Sequence, residues 1–303
     1  METTPATRRR DVQIGLLYGI FAYAWWGAIP VYFKLVKHIA PVTVLAHRIL
    51  WSFVFLAALI TARAGWNDVR TLLSKPRILR MLAASTLLLA SNWGFFIYAV
   101  STGRVLEASL GYFIVPLMSV AMGVLVLKER LRTGQISGLV VAVVGVVVLT
   151  VARGTLPWLA LVMAFSWGGY ALIRKIAAVG PLIGATVETA MLVPIALIYI
   201  ITGAQQSFSG GPAHDYFLLM LGGVVTAIPL LAFAAAALHL RLTTLGFLQY
   251  LAPIGQFLLA VFAYGEKFDA LNIAGFTMIW IALVIYTIDS ARAYAAAPIV
   301  AEI

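Results

Sequence analysis

The stretches PLMSVAMGVLVLKER at 116–130 and PIGQFLLAVFAYGEK at 253–267 decide how this chain is read. Each begins on a proline, runs through at least eleven uncharged residues and ends on a glutamate beside a basic residue. Pro116 stands thirteen positions before Glu129 and Pro253 thirteen before Glu266, so one offset of 137 superposes them; it also pairs Gly138 with Gly275 and Thr150 with Thr287. Upstream, Trp26-Gly27 and Lys34 match Trp167-Gly168 and Lys175 at an offset of 141, and Pro41 matches Pro181 at 140. Self-similarity at a fixed period is the signature of a repeated structural unit. The reading is two copies, 12–151 and 155–288, flanked by tails at 1–11 and 289–303.

Composition says what the unit is. Of 303 residues, 63% are hydrophobic and only 32 are charged, 21 basic and 11 acidic; an ordinary soluble domain holds about 45–50% apolar residues. Mean hydropathy is +1.00, and a soluble globule is excluded. Apolar stretches fall at 12–33, 43–62, 78–100, 105–127, 133–151, 155–173, 181–202, 215–238, 242–264 and 270–288, each near the ~20 residues that cross a bilayer. The expected fold is an all-α membrane protein with ten transmembrane helices in two five-helix repeats. Because five is odd, the second copy enters from the opposite side, giving the inverted topology of alternating-access transporters. The first apolar run, from Val12 to Phe33, is longer than a signal-peptide core and is read as retained.

Charge orients the ten spans. With the N-terminus in the cytoplasm, fifteen Lys and Arg residues fall inside and five outside, with Arg48 left within a span; positive charge collects on the cytoplasmic side. Both termini are therefore expected in the cytoplasm of a multi-pass inner-membrane protein. The same bias accounts for the net charge of +10 without nucleic acid as a partner. The connection from Ala64 to Lys75 has Trp66, Val69, Leu72 and Leu73 at helical spacing and is expected to lie along the inner headgroups. The connection from Gly203 to Asp215 reads as a solvated outer loop. The chain has no cysteine, which excludes disulfides, thiolate nucleophiles and Cys-held metals. It also lacks a Gly-rich phosphate loop, an HExxH and paired carboxylates on one helix face, so neither ATP-driven transport nor an enzyme is expected. No cofactor is implied. The expected partners are a small-molecule substrate, the bilayer and protons as a coupling ion.

Several local motifs carry a resemblance. Trp25-Trp26-Gly27, His47-Arg48 with Trp51-Ser52, Asn92-Trp93, the run from Glu107 to Phe113 with Pro116, and the run from Arg241 to Phe247 resemble the RarD group in the EamA branch of the drug/metabolite transporter superfamily. The resemblance spans about 12 to 288. It implies a ten-helix inner-membrane carrier with an inverted repeat that exports amino acids, drugs or other small metabolites. It does not fix a substrate.

The residues that point to a transport site are the polar ones inside the spans. Arg48 sits deep in the second apolar stretch, where a charge is costly and normally faces a partner or a wet cavity. Its repeat mate at an offset of 140 is Glu188. Read functionally, Arg48 binds a substrate anion and Glu188 an amine or a proton; read structurally, each snorkels to its nearer interface or the two pair permanently. Ser109, Tyr112, Pro116, Ser119 and Gly123 line one face of the fourth stretch, as Gly246, Gln249, Pro253, Gln256 and Ala260 do of the ninth. Such stripes face protein or water rather than lipid, and the prolines free carbonyls where a helix can hinge. Tight helix packing is the alternative. The candidate binding set is Arg48, Glu188, Trp51, Asn92, Tyr112, Gln249, Tyr250 and Gln256. Pro116, Pro253 and Glu107 are the candidate hinge and gate residues. The functional expectation is a secondary carrier, with a gradient-independent facilitator or channel as the alternative.

Overall fold

The computed structural model describes residues 5–102, 104–153, 158–202, 212–263 and 270–296. Among them the secondary structure is entirely helical: α1 (Pro5–Leu35), α2 (Pro41–Ala62), α3 (Trp66–Leu73), α4 (Pro76–Ser101), α5 (Val105–Leu125), α6 (Thr133–Arg153), α7 (Trp158–Ala177), α8 (Pro181–Ile201), α9 (Ala213–His239), α10 (Leu242–Leu248), α11 (Leu251–Leu258), a π-helical turn (Leu259–Ala263) and α12 (Ala270–Ala296). Seven segments are long and apolar enough to cross a bilayer, and Gly111–Leu125 and Thr133–Val148 are shorter apolar helices. The chain is an all-α multi-pass membrane protein.

Local sequence sets the helix starts. The matched residues Pro41 and Pro181 open α2 and α8; proline suits a first helical turn because its missing N–H would have no partner there and its φ is already helical. The amphipathic α3 buries Val69 and Leu72 and exposes Trp66 and Leu73. Most of the loop from Gly203 to Asp215, the 266–267 pair, the boundary at 154–157 and the outer parts of both tails lie outside the described residues.

The helices pack in exchanged pairs. α1 lies antiparallel to α9, where the Trp25 indole donates to the Val225 carbonyl at 3.0 Å and the Tyr32 hydroxyl to the Leu218 carbonyl at 3.2 Å. α4 packs on α7 in the same sense, with the Asn92 amide donating to the Met163 carbonyl at 2.9 Å. α5 packs on α7 as α11 packs on α1, α2 on α9 as α8 on α4, and α2 with α8, α5 with α10 and α6 with α12 meet directly. Some approaches are close enough to require glycine. A Cβ at Gly27 would come within 3.1 Å of the Gly255 Cα, and one at Gly138 within 2.9 Å of the Ala282 carbonyl oxygen. These lie well inside ordinary carbon contact distances.

The ninth apolar stretch is not one continuous helix. α10 ends at Leu248 and α11 starts at Leu251, because the ring of Pro253 cannot be placed against the carbonyl four residues back, that of Gln249. α5 stays continuous across the matched Pro116. The break makes a new helix start at Leu251, while the earlier one, at Leu242, is capped from the other repeat. Glu129 accepts the backbone N–H groups of Leu242 at 2.7 Å and Thr243 at 2.9 Å, two of the donors a helix start leaves unpaired. It ties the end of α5 to the start of α10.

Candidate functional site

Two charged residues occupy the same helical position in the two copies and sit in different surroundings. Arg48 and Glu188 are each the eighth residue of their helices, α2 and α8. Arg48 donates from Nε to the Thr226 hydroxyl on α9 at 2.7 Å. Glu188 accepts from the Ser85 hydroxyl on α4 at 2.5 Å. Ser85 and Thr226 differ by 141, the same offset that relates Trp26-Gly27 to Trp167-Gly168 in the sequence.

Around Arg48 the helices leave a cavity. About 140 Å³ of it is reachable by the centre of a water molecule, similar to an apolar cavity of roughly 150 Å³ that holds benzene. α1, α2, α4, α5, α7, α9 and α11 all contribute to its walls, which include Asn92, Tyr112, Gln249, Pro253 and Gln256. The guanidinium carbon of Arg48 lies 5.2 Å from the Phe33 ring centre and 5.6 Å from that of Trp93, within cation–π range. Trp26 and its repeat mate Trp167 meet edge to face at 5.2 Å on the cavity wall. Among the described residues no carboxylate comes within ion-pair distance of Arg48, and none lines the cavity.

Around Glu188 the helices close. Its carboxylate lies 3.8 Å from Nη1 of Arg174, and each residue is only 2% exposed. Arg174 is seated against Gly184, where a Cβ would overlap the guanidinium. Its Nε and Nη1 have no hydrogen-bond acceptor among the described residues. Lys175 binds the carbonyls of Ala237 and Leu240 at the end of α9, the place where a cation satisfies free helix carbonyls. The cluster thus lies toward the end of the bundle where α7 and α9 terminate. The cavity lies toward the end where α2 begins.

With this geometry in view, the comparisons with known proteins can be weighed. Residues 13–151 match the EamA-like transporter family. The protein RarD of Escherichia coli (strain K12) is 43% identical over 93% of this chain and 96% of its own length. The chain belongs to the RarD group of the EamA-like transporters. An uncharacterized transporter of Vibrio cholerae serotype O1 is 40% identical over 94% of this chain and 95% of its own. A crystal structure covering 90% of this chain and 97% of its own matches at TM-score 0.69 with 19% identity, which shows a shared fold. The relatives of this RarD-group chain are transporters rather than enzymes.

Of the expected binding residues, Arg48, Asn92, Tyr112, Gln249 and Gln256 come together on the cavity wall of this RarD-group transporter, with Pro253 among them. Asn92 also ties α4 to α7 through Met163 and Ser166. Gln249 accepts from Ser119 at 3.1 Å, while its amide nitrogen is buried without a full hydrogen bond, as is the hydroxyl of Tyr23 on the same wall. Gln256 donates to the Trp26 carbonyl at 3.3 Å. Glu188 and Arg48 are not brought together, because Arg174 and Ser85 hold Glu188 in the opposite half. Trp51 and Tyr250 lie off the wall; Tyr250 is buried in the core with its hydroxyl on the Phe113 carbonyl at 3.4 Å. Pro116 lies within α5 away from the cavity. Glu107 is on α5, and its side chain lies outside those described. The wall also contains Phe33, Phe96, Thr226 and Leu230, which as apolar or small hydroxyl residues of long apolar runs had no sequence signal.

Proposed function

We propose that this protein is a secondary carrier of the bacterial inner membrane that exports small organic metabolites by alternating access, with both termini cytoplasmic. Its units are two inverted five-helix repeats, 12–151 and 155–288. Seven apolar spans, two shorter apolar helices and α12 supply ten crossings. The exchanged packing of α1 on α9 with α7 on α4, and of α5 on α7 with α11 on α1, supports the repeat. So does the bond from Tyr250 to Phe113, which joins residues at an offset of 137.

The observation that carries the carrier reading is the cavity between the copies, lined from both and bearing an intramembrane charge whose repeat mate is sealed. Tyr112 and Gln249 are repeat mates and both reach the wall, as do Trp26 and Trp167. An alternating-access carrier opens one half while the other is closed. In this arrangement Arg48 faces the open half, and Arg174, Glu188 and Ser85 close the cytoplasmic half. The carrier turns over when the closed cluster loosens and the cavity collapses, with bending near Pro116 and at the break before Pro253.

The test is counterflow into liposomes holding the purified protein, with labelled amino acids and small organic acids, and with and without a proton gradient. Arg48→Ala and Glu188→Gln are each expected to abolish counterflow without loss of folded protein. Wild-type rates in both variants overturn the proposed site. Acceleration by the gradient identifies a proton-coupled carrier, and saturable flux indifferent to it identifies the facilitator.

A further inference from the structure

The cavity specifies more than a transport site, because among the described residues that line it Arg48 is the single formal charge. The Nε of that guanidinium is committed to Thr226, while Nη1 and Nη2 take no acceptor among the described residues and are not sealed from the cavity. Those two nitrogens form the end of a planar fork that matches the two oxygens of a carboxylate. Around it stand Trp26, Phe33, Trp93, Phe96, Tyr112 and Trp167, rings suited to enclosing a flat apolar body by edge and face contacts. The remaining polar groups are the amides of Asn92, Gln249 and Gln256 and the hydroxyls of Tyr23 and Thr226. The Gln249 nitrogen and Tyr23 hydroxyl, on residues 4% and 2% exposed, lack a full hydrogen bond but lie close enough to interact with each other.

No described residue on the wall carries a negative charge, and the two rings within cation–π range, Phe33 and Trp93, are already turned to the Arg48 guanidinium. The acidic residue expected to hold an amine, Glu188, is bound to Arg174 and Ser85 in the closed half. The other buried carboxylate near this end, Asp215, is hydrogen-bonded through Oδ2 to His38 at 2.9 Å, has Oδ1 3.0 Å from the His214 imidazole, and lies off the wall. An ammonium brought here would lose its water and meet an arginine of the same sign.

We infer that the cavity is selective for organic monocarboxylates bearing a single aromatic ring and no amino group, with the carboxylate on the open edge of Arg48 and the ring within the aromatic wall. The volume sets the limit of one ring, since about 140 Å³ matches the benzene-sized class of cavity. The inference rests on the proposal that this cavity is the transport site, and it deepens that proposal by naming the substrate class. It also replaces a two-ended grip on a zwitterion with a one-charge site.

The experiment is calorimetric titration of the purified full-length protein in detergent with phenylacetate, acetate, phenylalanine and phenethylamine. Phenylacetate is expected to bind about tenfold or more tightly than phenylalanine, because the added ammonium is desolvated without a partner, and phenethylamine is expected not to bind. Acetate is expected to bind about tenfold or more weakly than phenylacetate, because it leaves the ring wall empty. Arg48→Met is expected to remove phenylacetate binding, and Arg48→Lys to restore part of it. Equal binding of phenylalanine or phenethylamine, equal binding of acetate, or no binding of phenylacetate overturns the inference. The wild-type ligand series decides even if the variants misfold. Binding of phenylacetate without counterflow in liposomes leaves the specificity standing and removes the carrier reading. Counterflow of amines alone does the reverse.

Discussion

Arg48 with Thr226 and Glu188 with Ser85 are the same construction made twice: an ionisable side chain at the eighth position of one helix, bonded to a hydroxyl on its neighbour. What differs is the residue that faces each from the preceding helix. Near Arg48 it is Phe33, whose ring accepts the guanidinium face and leaves its edge free. At the matching position, 141 residues on, stands Arg174, which fills the space beside Glu188. One substitution between the copies, aromatic for cationic, separates a site that can take a ligand from one that is complete in itself. A charge with its counter-charge in the protein has no need of one from a substrate, and a charge without it does.

That comparison is open to attack from the closed side first. Removing Glu188 leaves Arg174 buried and uncompensated, so Glu188→Ala is expected to cost about 3–5 kcal/mol, read as a lowered denaturation midpoint of the purified protein. The double variant Arg174→Met, Glu188→Leu is expected to regain most of that loss, since an apolar pair of similar volume is often as stable as the buried ion pair it replaces. Arg48→Met, by contrast, is expected to shift the midpoint little, because its fork faces a cavity. If Arg48→Met unfolds the protein as Glu188→Ala does, the two sites are structurally alike and the distinction fails.

A finer probe is Gly184→Ala, whose new methyl overlaps the Arg174 guanidinium. Crowding a filled site of this kind costs about 1–3 kcal/mol, and the same denaturation assay measures it. The smallest effect is expected at the joint between the copies. Glu129→Ala removes the acceptor for two backbone N–H groups at the start of α10, a loss of about 1 kcal/mol typical of a helix cap. An unchanged midpoint would mean that water serves those donors and that Glu129 does not hold the repeats together.

Much of this architecture was legible in the sequence because it depends on quantities that a sequence carries directly. The all-α fold and its seven long apolar spans follow from runs of apolar residues. The stripes carrying Tyr112 on one stretch and Gln249 with Gln256 on another located part of the wall, since polar side chains in a membrane helix turn inward. Arg174 was less legible. It is one of the fifteen basic residues counted on the inner side, and its burial shows only in the folded partners of the charge. A signal did exist: α7 and α8 are joined by the three residues 178–180, so an arginine four positions from one end and a glutamate eight from the other lie at neighbouring levels. Tyr250 and Trp51 lie off the wall because each is taken up by helix packing: Tyr250 sits in the core with its hydroxyl on the Phe113 carbonyl, and Trp51 on α2 lies against Gly223 of α9.

The central claim is that the Arg48 half is open while the Arg174–Glu188 half is shut, and that the two states exchange. The natural absence of cysteine makes this measurable with single cysteines on one helix, Phe96→Cys in the cavity wall and Ser85→Cys beside Glu188. In right-side-out vesicles, a membrane-impermeant maleimide is expected to label Phe96→Cys and spare Ser85→Cys. Adding Glu188→Gln is expected to expose Ser85→Cys to reagent in inverted vesicles and to slow the labelling of Phe96→Cys from outside. Labelling of both positions from the same side, or indifference of both to Glu188→Gln, would contradict the account.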